Sequence, residues 1–150
     1  MTIALELTRT FDAPAARVFA CFTSAREMGA WLGPYEHRGE VLALEPRIGG
    51  RYRIVMHKPD GTEIFAGGAF QAIEEPSRIA FTWKWEDGEA NTLIIVTFRE
   101  SGGKTEMTFR QEGFAEERYR DMHIHGWTGC LDNMATYLAT GVRQDDRQAA

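Results

Sequence analysis

Few side chains in this sequence could do chemistry, and two of them fall where an apolar surface is expected. Gln111 shares the bulky face of an alternating segment with Met107 and Phe109, and His123 precedes Trp127 on a helical segment. A few orienting polar groups in an apolar space are typical of a small-molecule site. We therefore expect Gln111 and His123 to orient a ligand, although the two side chains could also satisfy each other in a packed core.

Catalysis at such a site would depend on the histidine. A glutamine amide does not titrate in a useful range, so only His123 could act as general acid or base, with help from Tyr52. A single pocket histidine more often orients a ligand than transfers a proton. No Gly-x-Ser-x-Gly segment supports a hydrolase. We therefore assign no catalytic residue and keep His123 as the candidate for an enzymatic alternative.

The histidine spacing argues against a metal site. His123 and His125 are two apart on a predicted helix, so they should point to nearly opposite sides and not share an ion. His37 and His57 lie in or beside different predicted strands. No His-Glu-x-x-His segment is present. We expect no metal.

The cysteines and one glycine-rich turn give no cofactor signal either. Cys21 and Cys130 fit no metal or redox spacing and are expected to be small buried hydrophobes. Gly103-Lys104-Thr105 resembles the end of a phosphate-binding loop, but Phe98 stands where the motif needs a glycine and a strand follows instead of a helix. We expect no cofactor.

Composition limits the classes of partner. The chain has 150 residues, 17 Lys+Arg against 22 Asp+Glu and a net charge of −5, so nucleic acid is not an expected partner. No apolar run approaches the roughly 18 residues of a membrane span, and the first strand lacks a signal-peptide block. We expect a cytoplasmic protein with a single domain over residues 1–141 and a frayed polar tail over 142–150.

Periodicity predicts the elements that position these residues. A first strand ends near Phe11, and two short helices follow, one beginning near Pro14 and one at Ser24, where Glu27 completes a capping box. A long helix is predicted from about residue 116 to 140, ending at Gly141. The six strands between them are predicted at residues 39–45, 50–57, 63–73, 78–86, 92–99 and 105–112.

This order predicts an α+β fold of the helix-grip kind. Short turns join the strands, so they should run antiparallel as a meander. A curved seven-stranded antiparallel sheet then needs cover on one face, and only the C-terminal helix is large enough to provide it. The two short helices after the first strand complete the layout.

Strand alternation predicts which side chains face that helix. Large apolar groups share one face of each strand, and Gly126 and Gly129 remove side chains from the helix, so sheet and helix either pack solidly or enclose a cavity. The glycines could equally serve close packing alone. The predicted ligand-binding residues are Tyr52, Ile54, Met56, Phe81, Trp83, Met107, Phe109, Gln111, His123 and Trp127.

Five segments together carry a family resemblance, over about residues 5–140. They are FDAP at 11–14, MGAWL at 28–32, RIGGRY at 47–52, EPSRIAFTW at 75–83 and HIHGW at 123–127. In order and spacing they resemble the Aha1-type branch (activator of Hsp90 ATPase homologue, C-terminal domain) of the SRPBCC, or START and Bet v 1-like, superfamily. The resemblance implies a helix-grip fold holding an apolar ligand such as a lipid, sterol or polyketide-like molecule.

Three functions are consistent with that resemblance. The first is non-enzymatic binding of an apolar or aromatic small molecule. The second is a protein-interaction role as activator of an Hsp90-type chaperone, as part of a stress response. The third is a cyclase, dehydratase or hydrolase-like enzyme that uses His123. The chain could act as a monomer, or as a homodimer through its exposed strand edges.

Overall fold

The chain forms one strand, two short helices, six strands and one long helix in the computed structural model, which describes residues 2–88 and 90–144. The elements are β1 (Ala4–Phe11), α1 (Ala15–Thr23), α2 (Ala25–Trp31), β2 (Arg38–Leu44), β3 (Arg51–His57), β4 (Glu63–Glu74), β5 (Arg78–Trp85), β6 (Thr92–Ser101), β7 (Lys104–Glu112) and α3 (Glu117–Thr140). The predicted boundaries agree with these to within two residues.

All seven strands form one antiparallel sheet in the order β1-β7-β6-β5-β4-β3-β2. Strands β2 to β7 form a meander, and β1 lies beside β7, with Ala4 opposite Glu112 and Phe11 opposite Thr105. Register shifts in β2 and β4 interrupt the ladder, and such bulges bend a sheet. The predicted α+β helix-grip fold is confirmed.

Local sequence signals explain where the helices begin and end. The Ser24 hydroxyl accepts a hydrogen bond from the Glu27 backbone N–H at 3.3 Å and so caps α2, but the Glu27 carboxylate pairs with Arg17 at 2.7 Å instead of completing the predicted capping box. Gly141 adopts a φ of 76°, and its N–H donates to the Tyr137 carbonyl at 2.8 Å. A left-handed glycine of this kind ends α3 because it costs no Cβ clash.

The segment after α3 is anchored at its first residues. The Gln144 side chain is 1% exposed, and its Nε2 donates to the Gly29 and Gly39 carbonyls at 3.3 Å each. Arg143 donates to the Arg26 carbonyl at 3.0 Å. The expectation of a frayed tail is therefore wrong for residues 143 and 144. Residues 145–150 of that tail lie outside the described residues.

The core lies between α3 and the concave face of the sheet and extends under α1 and α2. Its centre is fully buried at Leu131 and Met134 of α3 and at Ile79 and Ile94 of the sheet. Nearer the N-terminal half of α3 this packing gives way to open space. The cavity described below occupies that space.

Candidate ligand-binding site

A cavity of about 410 Å³ lies between the N-terminal half of α3 and the adjacent ends of β3, β4 and β5. The sheet contributes Met56, Ile64, Phe65, Trp83 and Trp85. The other walls are the helix and the segment that follows α2; the residues they contribute are Met122, His123, His125, Gly126, Trp127 and Cys130, with Pro34, Tyr35 and His37. Most of this surface is apolar or aromatic, which is typical of sites for small organic molecules.

Three tryptophans form one wall of the cavity. The Trp83 ring meets Trp85 at a centroid distance of 5.4 Å and an angle of 89°, and meets Trp127 at 5.0 Å and 66°. Such edge-to-face contacts are favourable for aromatic pairs and hold the rings in fixed orientations. The Trp83 indole N–H is buried without a hydrogen-bond partner among the described residues.

A buried polar chain fixes Trp127. Its indole N–H donates to the Gln111 side-chain oxygen at 2.7 Å, and the Gln111 amide donates to the Thr92 hydroxyl at 2.8 Å. The hydroxyl in turn donates to the Trp83 carbonyl at 2.7 Å. Gln111 is fully buried and does not line the cavity, so it orients a tryptophan rather than a ligand.

His123 lines the cavity, but both ring nitrogens are engaged. The Trp85 indole N–H donates to Nε2 at 2.9 Å, and Nδ1 donates to the Tyr119 carbonyl at 2.7 Å. An indole only donates and a carbonyl only accepts, so these partners select the neutral tautomer protonated on Nδ1. Burial lowers the pKa of His123, and the bond to the Tyr119 carbonyl opposes that shift in part. The suggested pairing of His123 with Gln111 is wrong, because each has other partners.

The two helix glycines have different roles. A Cβ at Gly126 would meet only the Pro34 ring, at 3.9 Å, so this glycine leaves open space beside the cavity. A Cβ at Gly129 would lie 2.8 Å from the Pro34 Cβ and 3.0 Å from the Tyr35 ring. Gly126 therefore adds volume, whereas Gly129 lets the segment after α2 pack against α3.

That segment borders the opening of the cavity. Tyr35 has a φ of 55°, which is uncommon for a residue other than glycine, and its ring stacks on His125 at 4.6 Å. Tyr35 is 52% exposed and Met122, across the opening on α3, is 67% exposed. Lys58 and Asp87 add one positive and one negative charge to the lining.

The structure brings together four of the ten predicted binding residues. Met56, Trp83, His123 and Trp127 line the cavity. The other six face the helix but belong to the packed interior away from the cavity; they are Tyr52, Ile54, Phe81, Met107, Phe109 and Gln111. Alternation assigns a side chain to a face, but it does not tell how far along the strand the space opens.

The residues that sequence reasoning missed lie mostly at the opening. Trp85 carried a signal, because it alternates with Trp83 on one predicted strand face. No sequence signal marked Tyr35, Lys58 or Met122, because each lies in a loop or on the outer side of an amphipathic pattern. His125 was assigned away from His123, yet both contribute to the lining. Within residues 2–88 and 90–144, no group of three or more metal-ligating side chains is arranged to hold an ion.

The curved sheet, the long C-terminal helix and the space between them define a helix-grip α+β protein. Solved structures with the same fold include a protein from Chromobacterium violaceum, with a TM-score of 0.86 and 22% identity over 91% of this chain and 96% of that one. The AHSA1 protein from Silicibacter pomeroyi matches with a TM-score of 0.84 and 21% identity over 92% and 99%. A protein from Mycobacterium smegmatis matches with a TM-score of 0.79 and 23% identity over 92% and 91%.

The family is shown by the sequence itself. Residues 12–139 match the family described as activator of Hsp90 ATPase homolog 1-like protein, and the chain belongs to that family. No curated protein sequence matches significantly. Among the described residues, no helix is both long and apolar enough to cross a membrane.

Proposed function

We propose that this protein binds an apolar or aromatic small molecule in the cavity between α3 and strands β3 to β5. The observation that carries the proposal is the cavity itself, about 410 Å³ in volume and lined mainly by aromatic and aliphatic side chains. Small-molecule sites commonly measure roughly 300–1,000 Å³ and have this kind of lining. A lipid, a sterol fragment or a polyketide-like ring system has the required apolar surface, and its burial contributes roughly 25 cal/mol per Å².

The state of His123 favours binding over catalysis. A general base needs a lone pair within reach of the ligand, but the Nε2 lone pair already accepts the Trp85 N–H. The Tyr52 hydroxyl, the suggested assistant, donates to the Thr82 carbonyl, and burial raises the pKa of Tyr52 well above its usual value. A cyclase or dehydratase mechanism through His123 would first have to break the contact with Trp85.

Filling the cavity from the helix tests the proposal. Replacing Gly126 with Leu places a branched side chain beside the cavity, and it also removes a helix-interior glycine that costs about 1 kcal/mol relative to alanine. Gly126→Leu should fold and yet lose at least about tenfold in affinity for N-phenylnaphthylamine, a neutral dye that fluoresces in apolar sites, because occlusion removes buried contact area. The measurement is a dye titration with urea unfolding of the same samples.

Gly126→Ala is the matched control. A single Cβ there has ordinary van der Waals room, so this variant should gain up to about 1 kcal/mol of stability and keep the dye affinity. The proposal fails if the wild-type protein does not bind the dye, or if Gly126→Leu binds it as well as Gly126→Ala does.

Activation of an Hsp90-type chaperone is the second candidate, and the observation that favours it is the family match over residues 12–139. Such a role would use the outer surface, where ion pairs such as Arg53 with Glu86, at 2.9 Å, are exposed. Added protein should then raise the ATPase rate of the chaperone, and Gly126→Leu should act as well as the wild type because its outer surface is intact. An unchanged ATPase rate without co-precipitation removes this candidate.

A further inference from the structure

Lys58 is the lysine of the cavity lining, and the exposed Asp60, two residues further along the chain, interacts with its charge electrostatically. It follows β3, and a turn holds its backbone, with the Lys58 N–H donating to the Thr62 carbonyl at 2.9 Å and the Lys58 carbonyl accepting from Gly61 at 2.9 Å. Its side chain is half-buried, and among residues 2–88 and 90–144 its ammonium forms no hydrogen bond or direct ion pair. The point of attachment is thus fixed, while the ammonium keeps its donors available.

Of the other polar groups of the cavity, those of His123 and Trp127 have partners and Asp87 faces water, whereas the buried Trp83 N–H has no hydrogen-bond partner among the described residues. Both nitrogens of His123 have partners, and the Trp127 N–H is bound to Gln111. Asp87 lies on the turn after β5 and is exposed, so water continues to solvate its carboxylate. An occupant that closes the opening therefore removes more water from Lys58 than from Asp87.

Removing water from an ammonium that has no hydrogen-bond acceptor among the described residues is unfavourable, and an anionic group on the occupant offsets that loss through charge-assisted hydrogen bonds. We propose that the ligand is an amphipathic organic anion, such as a carboxylic acid, whose anionic group pairs with Lys58 at the opening. Its apolar body lies against Trp83 and Trp127. This inference rests on the proposed function, since it names the ligand class of the same cavity.

Two dyes that differ in one anionic group test the inference. Anilinonaphthalene sulfonate carries a sulfonate on the ring system of neutral N-phenylnaphthylamine. The wild-type protein should bind the anionic dye about tenfold more tightly, the effect expected of a hydrogen bond to a charged group. Decanoate and decanol, measured by displacement of the neutral dye, provide the same comparison for a carboxylate.

Lys58→Met keeps the length of the apolar stem and removes the charge, so the anion-to-neutral affinity ratio should fall to about one. Lys104→Met is the control, because Lys104 is exposed at the start of β7 and does not line the cavity; its ratio should equal that of the wild type. Added salt should weaken the binding of the anionic dye more than the binding of the neutral dye.

The outcomes separate this inference from the proposed function. If the neutral dye binds but the wild-type ratio is near one in both pairs, or if Lys58→Met leaves the ratio unchanged, the assignment to Lys58 is wrong and the cavity remains a binding site for neutral molecules. If the neutral dye does not bind at all, the proposed function itself fails.

Discussion

Some buried polar side chains in this protein bind backbone carbonyls, as Asn133 and Gln144 do, and others orient an aromatic ring. Gln111 is the clearest case, because its amide joins the Trp127 N–H to the Thr92 hydroxyl and so connects α3, β6 and β7. This chain of hydrogen bonds is buried away from solvent, so each polar group depends on its neighbour in the chain for a hydrogen-bond partner. Such a chain holds one wall of the cavity in place before any ligand arrives.

Replacing Gln111 with Leu should destabilise the protein by about 2–3 kcal/mol. The substitution leaves the Trp127 N–H without its acceptor in a dry site, and each unsatisfied buried group costs about 1–3 kcal/mol. Urea unfolding measures the loss, and a change in tryptophan emission should accompany it.

Gln71→Leu is the matched control for that substitution. Gln71 is exposed on β4, so the same chemical change there should alter the free energy of unfolding by no more than about 0.5 kcal/mol. Equal effects at the two positions would show that Gln111 has no special role in fixing Trp127.

At the scale of elements, the contact between α3 and the segment after α2 sets the shape of the opening. Gly129 allows the approach, and the Asn133 amide donates to the Gly33 carbonyl at 2.6 Å one helical turn further on. The backbone N–H of Gly33 also donates to the Cys130 sulfur at 3.4 Å. Three positions on one helix face therefore hold the segment that carries Tyr35.

Gly129→Ala tests this contact. The helix gains up to about 1 kcal/mol from the better helix former, but the new Cβ would lie 2.8 Å from the Pro34 Cβ. Overpacking of this kind costs about 1–3 kcal/mol, so we expect a net loss of about 1 kcal/mol in urea unfolding. Gly126→Ala, one helical turn away, should gain stability instead. A gain of stability at both positions would mean that the segment after α2 moves away from the new Cβ at little cost.

Element boundaries were predictable, because local chemistry decides them. Ser24 with Glu27 and the left-handed Gly141 are signals that act within a few residues. The anchoring of Gln144 was not predicted, for the opposite reason: its side chain is held by the Gly29 and Gly39 carbonyls, more than 100 residues away in sequence. Long-range contacts of this kind have no local pattern.

At the scale of the whole molecule, stability should depend on pH through His123. Burial lowers its pKa in the folded state, so the unfolded state binds more protons as pH falls through the ordinary histidine value of about 6.5. The stability contributed by neutral His123 is present above that pH and is lost below it. Protonation would also set an N–H on Nε2 against the Trp85 N–H.

We therefore expect the free energy of unfolding to fall between about pH 7 and pH 5, and to fall less in His123→Gln. Carboxyl groups whose pKa is lowered in the folded state contribute to the pH dependence of stability in a lower pH range. Glu45 is one of them, and the largest cause of its lowered pKa is the hydrogen bond from the Arg51 backbone. Urea unfolding across this pH range, compared between wild type and variant, measures the difference. If the free energy of unfolding depends on pH equally steeply in the two proteins, the role assigned to the burial of His123 is wrong.

The sequence alone determined the order of elements, the antiparallel sheet, its apolar face and the family. These follow from periodicities and end signals that are complete within each segment, and the described structure confirms the α+β helix-grip fold. Only the tertiary structure decided where helix and sheet separate, and therefore that Trp83 borders open space while Phe81, two residues earlier on the same face, does not. The physical reason is that a period of two assigns a side chain to a face but carries no information on the distance to the facing layer.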